Sequence, residues 1–260
     1  MKAFDLSGKV AIITGGGSGI GEQMSHVFAA AGALVQIIEY KRESGEAVVA
    51  AITKKGGNAN FHQGDVAQQS SMIECCNKIV EKTGRIDILI NNAGIAHIGK
   101  LHETAEADFD RIYQVNIKGV YNCMYAVIPH MMKQKKGVII NMGSVASMIG
   151  LPDRFAYSTS KGAVELMTYT VARDYLEYNI RCNSIAPARV HTPFVDNYLR
   201  QNYPGQEEEM YEQLSKTQPI GRMAKPIEIA NLARYLCSEE ASFITGTNVP
   251  IDGGFIKLNT

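Results

Sequence analysis

"TGGGSGIG", residues 14–21, follows directly on the apolar run "VAIIT" at 10–14 and leads into a stretch of helical periodicity. Strand, glycine turn and helix in this order begin a parallel α/β unit. Gly15 and Gly19 let the backbone turn tightly and approach a ligand, while Gly21 lets helix and strand pack closely. The N–H groups left free at the helix start, in the turn that holds Ser18 and Ile20, favour a phosphate. A glycine cluster alone also serves as a structural turn, and the next strand decides its meaning. That strand ends at Glu39, whose carboxylate suits the adenosine ribose hydroxyls of NAD and repels the 2′-phosphate of NADP. Lys41 and Arg42 just beyond pull the other way, and the balance reads as NAD.

The same alternation continues along the chain. Further β-branched or apolar runs are "LVQII" at 34–38, "ANFHQ" at 59–63, "IDILI" at 86–90, "GVIIN" at 137–141, "IRCNSIA" at 180–186 and "TNVPI" at 247–251. Several are apolar at consecutive positions, as strands covered on both faces are. Helix-period segments lie between them, near 20–31, 44–55, 69–83, 104–133, 157–178 and 226–238, with Gly32, Gly56 and Gly84 close to three of their ends. The pattern predicts one doubly wound, Rossmann-type α/β domain over 1–260, with a mostly seven-stranded parallel sheet flanked by helices. The rhythm breaks only at 187–222, a polar insertion with four prolines and the acidic run Glu207 to Glu209. Long excursions of this kind inside compact domains are usually lids or binding loops, and this one is read as a substrate loop.

Composition narrows the function classes. Lysine plus arginine equals aspartate plus glutamate at 26 each, so there is no general field to hold a polyanion and nucleic acid is not an expected partner. Five cysteines without a C-x-x-C spacing argue against a disulfide framework or zinc site and fit core thiols in a reducing, cytoplasmic compartment. The histidines are too dispersed for a metal site. Neither a secretory leader nor a membrane span is expected from the apolar runs.

Further motifs follow in order: "GDV" with Asp65 and Val66, "NNAG" at 91–94, Asn116 in "QVNIKGVY", Ser144 in "NMGSVAS", "YSTSK" at 157–161, and "GTNVPIDGGF" near the C-terminus. Together with the glycine turn they make the chain resemble the short-chain dehydrogenase/reductase family over essentially its whole length. The resemblance implies an adenine contact at Asp65 and Val66, a ribose and backbone platform at Asn92, Ala93 and Gly94, and nicotinamide contacts near Val190 and Thr192. It also implies a homo-oligomer, commonly a tetramer built through the helices near 104–133 and 157–178. One departure is Pro187-Ala188 where the family has Pro-Gly, which puts the loop entrance in question.

The chemistry of the motif can be read without the family. Tyr157 and Lys161 lie four apart and therefore on one helix face. A free phenol titrates near 10, and a nearby ammonium is expected to lower that value and make Tyr157 a usable acid and base. Ser144 is expected to orient the substrate oxygen, and Asn116 to hold a water that passes the proton on. Arg154, three residues before Tyr157, has the planar fork that suits a carboxylate, with Arg189 and His97 as candidate helpers. These residues point to an oxidoreductase acting on a secondary alcohol of a small polar molecule, a hydroxy acid or sugar acid. Within the family the chain resembles enzymes of 2-keto-3-deoxy sugar acids, such as the fuconate type, and of 3-hydroxybutyrate. Other readings are a 3-oxoacyl-thioester reductase, a dehydrogenase of neutral sugars or alcohols, and a nucleotide-sensing protein without turnover.

Overall fold

The structure is a computed structural model that describes residues 3–258. Seven strands, β1 (Val10–Thr14), β2 (Leu34–Glu39), β3 (Asn58–Gln63), β4 (Ile88–Asn91), β5 (Gly137–Met142), β6 (Ile180–Pro187) and β7 (Asn248–Ile251), form one sheet in the order β3-β2-β1-β4-β5-β6-β7. Every neighbouring pair is parallel. The chain winds outward from β1 in one direction, then returns to β4 and winds the other way. The loops after β1 and β4 therefore diverge and leave a crevice at their carboxyl ends.

Successive residues of each buried strand serve opposite faces. Ile13, Val35, Ile37 and Ile90 pack with α1 (Gly19–Ala30), α2 (Arg42–Lys54) and α9 (Pro226–Cys237), through Met24, Phe28, Ile52 and Ile229. Their neighbours Ile12, Ile38, Leu89 and Ile139 pack with α3 (Gln69–Thr83), α5 (Gly119–Gln134) and α6 (Phe155–Asp174), through Met72, Ile79, Val127 and Val164. This double coverage is why the strand runs are continuously apolar. The five cysteines are buried free thiols, and burial pushes Cys76 and Cys237 up to about 12, which leaves them inert packing groups.

Two differences from the sequence reading concern function. The helix expected over 104–133 is divided: α4 (Glu106–Ile112) passes through a π-helical segment, Tyr113–Lys118, into α5. A wider turn of this kind commonly marks a functional position, and Asn116 lies in it. On α5, Met124, Val127 and Met131 face the core, and the outward face carries Tyr121 and Tyr125 instead. The excursion at 187–222 contains two helices, α7 (Pro193–Asn202) and α8 (Glu207–Lys216). Among the described residues no helix is long and apolar enough to cross a membrane.

Gly21 shows how tightly the first turn is closed, since a Cβ there would collide with the Gly15 carbonyl and lie 2.5 Å from Asn92 Nδ2. Gly21→Ala is expected to destabilise the fold by about 1–3 kcal/mol, the usual cost of overpacking, read by chemical denaturation. An unchanged midpoint would show that the turn relaxes freely.

Candidate active site

The glycine turn is fastened to the end of β4. Asn92 Nδ2 donates to the carbonyls of Thr14 at 3.0 Å and Gly15 at 3.1 Å. Thr14 Oγ1 accepts from the N–H groups of Asn92 and Ala93, both at 3.1 Å, and donates to Ile90 O at 3.3 Å. Gly15, at φ 63°, passes so close that an added Cβ would lie 2.9 Å from Ala93 Cα. Gly19, at φ 57°, has only the Thr192 methyl near its Cβ position, at 3.6 Å, so Thr192 stands across the turn from the start of α1. Ser18 caps α1 with no side-chain bond to its backbone, leaving helix N–H groups for a ligand.

Glu39 lies at the outer end of this cradle. Its Oε2 accepts from Gly17 N at 3.2 Å, and its Oε1 from Tyr40 N at 2.9 Å and Lys41 N at 3.2 Å. Arg42 is engaged elsewhere, with Glu46 at 2.8 Å, Gln63 at 3.0 Å and the Phe61 ring beneath its guanidinium. Asp65 Oδ1 accepts from Ala67 N at 2.9 Å and shapes its own loop, while the Val66 carbonyl accepts from buried Asn122 at 2.8 Å. The residues present fit a dinucleotide: a tight backbone turn, a helix N-terminus and a carboxylate fixed at the ribose end.

The second half of the site is carried by α6 and the loop after β5. Ser144 makes two contacts through one hydroxyl. Its Oγ accepts from Ala146 N at 3.2 Å, capping the short turn Val145–Ser147, and the same hydroxyl acts on Tyr157. Lys161 is 7% exposed, and its ammonium donates to the Met142 carbonyl at 2.7 Å and lies 5.6 Å from the centre of the Tyr157 ring. Burial pulls Lys161 down to about 8.

The electrostatics correct one expectation. Burial pushes the Tyr157 phenol up, and the opposing pulls come from the Ser144 hydroxyl and the Arg154 guanidinium. Lys161, desolvated and donating to a carbonyl, meets the Tyr157 ring, while Arg154 is the cation that pulls the phenol down. Asn116 is fully buried and bonded on both ends of its amide. Its Oδ1 accepts from Ile95 N at 2.9 Å, and its Nδ2 donates to Ile95 O at 2.9 Å and Ser160 Oγ at 3.0 Å. It clamps the loop after β4 to α6, with one Oδ1 lone pair free for a further donor. An added Cβ on Gly94 would lie 3.3 Å from Asn116 Oδ1 and 3.8 Å from Lys161 Nζ, so "NNAG" runs between the two.

Arg154 sits where the segment before α6 pairs with Gly99, and its Nη1 donates to the Asp153 carbonyl at 3.2 Å. Arg189 donates through Nε to Thr217 Oγ1 at 3.1 Å; burial and the nearby Arg154 pull its guanidinium below the ordinary arginine value. Neither forms an ion pair among the described residues. Tyr198 of α7 faces both arginines, a member of the site that no motif announced. His97 lies against Gly99, with its Nε2 3.6 Å from Asp108 and its buried Nδ1 without a partner. Val190 is buried and pairs with Ala224. Ala188 takes an ordinary backbone conformation and donates to Ile251 O at 3.3 Å, so the absence of glycine there leaves the loop entrance joined to β7.

A family profile described as enoyl-(acyl carrier protein) reductase matches residues 15–256. The chain belongs to the short-chain dehydrogenase/reductase family. It is 40% identical over 251 residues to an uncharacterized oxidoreductase of Thermotoga maritima, covering 96% of this chain and 98% of that protein. A 3-oxoacyl-(acyl-carrier-protein) reductase of the same organism is 36% identical over 251 residues, covering 96% and 99%. Among solved structures, an NAD+-bound xylitol dehydrogenase superposes with a TM-score of 0.89 at 31% identity, covering 97% of this chain and all of that one. The protein is thus an oxidoreductase of the short-chain type, a family that uses nicotinamide cofactors.

Lys161 makes the fold sensitive to pH in a definite sense. Its folded value, about 8, lies below the unfolded lysine value near 10.4, so the unfolded chain holds more protons between those limits and stability contributed by this group rises with pH across them. Lys161→Met is therefore expected to be inactive yet more stable than the parent at pH 7, by about 2–3 kcal/mol, with the gain fading towards pH 10.5. Thermal unfolding at several pH values checks this, and a variant less stable at pH 7 would refute it.

Proposed function

We propose that the protein is an NAD-dependent dehydrogenase of a small hydroxy acid or sugar acid. The observation that carries the acid is Arg154, whose guanidinium acts on both the Tyr157 phenol and Arg189, with neither arginine in an ion pair among the described residues. Two guanidiniums held near each other repel, and a bound carboxylate relieves that repulsion while accepting paired hydrogen bonds. The NAD preference rests on Glu39, held at the glycine turn by three backbone N–H groups, and on Arg42 being occupied elsewhere.

In alcohol oxidation Tyr157 as phenolate takes the hydroxyl proton of the substrate, while Ser144 donates a hydrogen bond that orients the substrate oxygen. The nicotinamide, when bound, supplies the hydride acceptor and a positive charge that favours the phenolate. Lys161, titrating near 8, serves as the next carrier of the proton, and Asn116 keeps the loop after β4 aligned with α6. The cofactor would be held by Gly15, Ser18, Gly19, Ile20 and Gly21 at its phosphates, Glu39 at the ribose and Asp65 and Val66 at the adenine. Asn92, Ala93, Gly94, Val190 and Thr192 would complete the nicotinamide side. The 187–222 excursion is the substrate loop of this single domain. Assembly as a tetramer is supported by the exposed Tyr121, Tyr125 and Leu166 on α5 and α6. A 3-oxoacyl-thioester reductase is the second reading, favoured by the relative of that name.

Purified protein with NAD or NADP and a panel pairing hydroxy and sugar acids with their neutral counterparts tests the proposal. Selective turnover of acids with NAD is expected, Tyr157→Phe should abolish it with NAD binding intact, and preference for NADP with acyl thioesters would favour the second reading. Arg154→Leu should raise KM for acids at least tenfold while leaving KM for neutral alcohols unchanged. Because Arg154 also pulls the Tyr157 phenol down, the alkaline shoulder of the oxidation rate should move to higher pH for every substrate. Equal KM changes for acids and neutral alcohols would remove Arg154 from the substrate site.

A further inference from the structure

We propose that His191 is a positioning residue that latches the α7–α8 hairpin to the loop facing the glycine turn. This rests on the reading of 187–222 as a substrate loop, and it assigns the contact that sets the loop's position. His191 lies between Val190, buried against the body of the domain, and Thr192, which stands over Gly19. Its backbone N–H donates to Ala224 O at 2.9 Å, and Ala224 N donates in turn to Arg189 O at 2.9 Å, so the main chain at this point is fixed. The side chain reaches the other way. Its Nε2 donates to Asp196 Oδ1 on α7 at 2.7 Å, and Tyr211 of α8 meets the imidazole ring edge-on with centroids 4.9 Å apart.

One side chain thus joins three pieces: the loop at the cofactor, the first helix of the hairpin and the second. The same hairpin carries Tyr198, near enough to feel both arginine charges, and, just past its end, Thr217, which accepts from Arg189. A shift of the hairpin would move both away from the arginine pair without touching the sheet. The other groups around the imidazole are Arg200 of α7 and Glu207 and Glu208 of α8, which line with it a cavity of about 410 Å³. The Asp196 carboxylate can only accept, so Nε2 carries the hydrogen of this bond.

A half-exposed contact of this type controls local opening more than global stability. Hydrogen exchange of the full-length protein, with and without NAD, is the test, on His191→Ala, Asp196→Ala, the double variant and His191→Gln. Exchange across 193–216 should quicken about fivefold in each alanine variant, no further in the double, and return towards the parent rate in His191→Gln, which can still donate to Asp196. Substrate KM should rise in His191→Ala with kcat within about twofold of the parent. Unchanged exchange in the hairpin, additive effects in the double variant, or acceleration spread evenly over the sheet would each overturn the latch. If the hairpin loosens as expected but acids and neutral alcohols are turned over alike, the latch stands and the carboxylate reading falls.

Discussion

Between β1 and β4 the sheet reverses its winding, and the site depends on how the two diverging loops are held at that point. Asn92 and Thr14 do this with short polar contacts between the glycine turn and the end of β4. Backbone carbonyls at such a turn are otherwise unpaired, and burying them without partners would cost free energy. The turn that offers its N–H groups to a phosphate is therefore rigid because its carbonyls are satisfied from the other side. Gly15 and Gly21 follow from the same constraint, since no larger residue leaves room for Asn92 to reach across.

From this point the polar machinery extends into the core. Asn91 donates to Asn141 at 2.8 Å, and Asn141 to Thr168 of α6 at 2.9 Å, so the helix that carries Tyr157 and Lys161 is registered against β4 and β5 by a buried chain of amides. Such a network fixes one arrangement because each alternative strands a polar group. Lys161 is the costly member. Its charge is desolvated, and one carbonyl contact only partly offsets that.

The surroundings of the two arginines are built differently. Their polar groups come from segments far apart in the chain: Arg154 before α6, Arg189 after β6, Tyr198 on α7 and Thr217 after α8. They meet only because the excursion folds back over the end of the sheet, where Ile220 N donates to Gly253 O at 3.1 Å and closes its far end. The glycine turn and α6 are thus fixed by the sheet, while the hairpin is held by surface contacts. That division suits a family whose members share hydride chemistry and differ in what they oxidise.

The sequence by itself determined the strand and helix alternation, the parallel sheet and the placing of Tyr157 and Lys161 on one helix face, because period, glycine spacing and a four-residue interval are local properties of the chain; Ser144 joined them through the motif order that the resemblance supplied. Glu39 was legible for the same reason, as the residue that ends a strand. Tertiary structure alone decided that Asn116 works as a clamp within a π-helical turn, that Thr14 is a hub and that Arg154 acts on Tyr157 while Lys161 is held by the Met142 carbonyl. It also decided that Arg42 is turned towards Glu46 and Gln63, and that His191 reaches Asp196 and Tyr211 across the hairpin. Charge effects depend on burial and on which partner occupies each group, and both are set by contacts between residues dozens of positions apart.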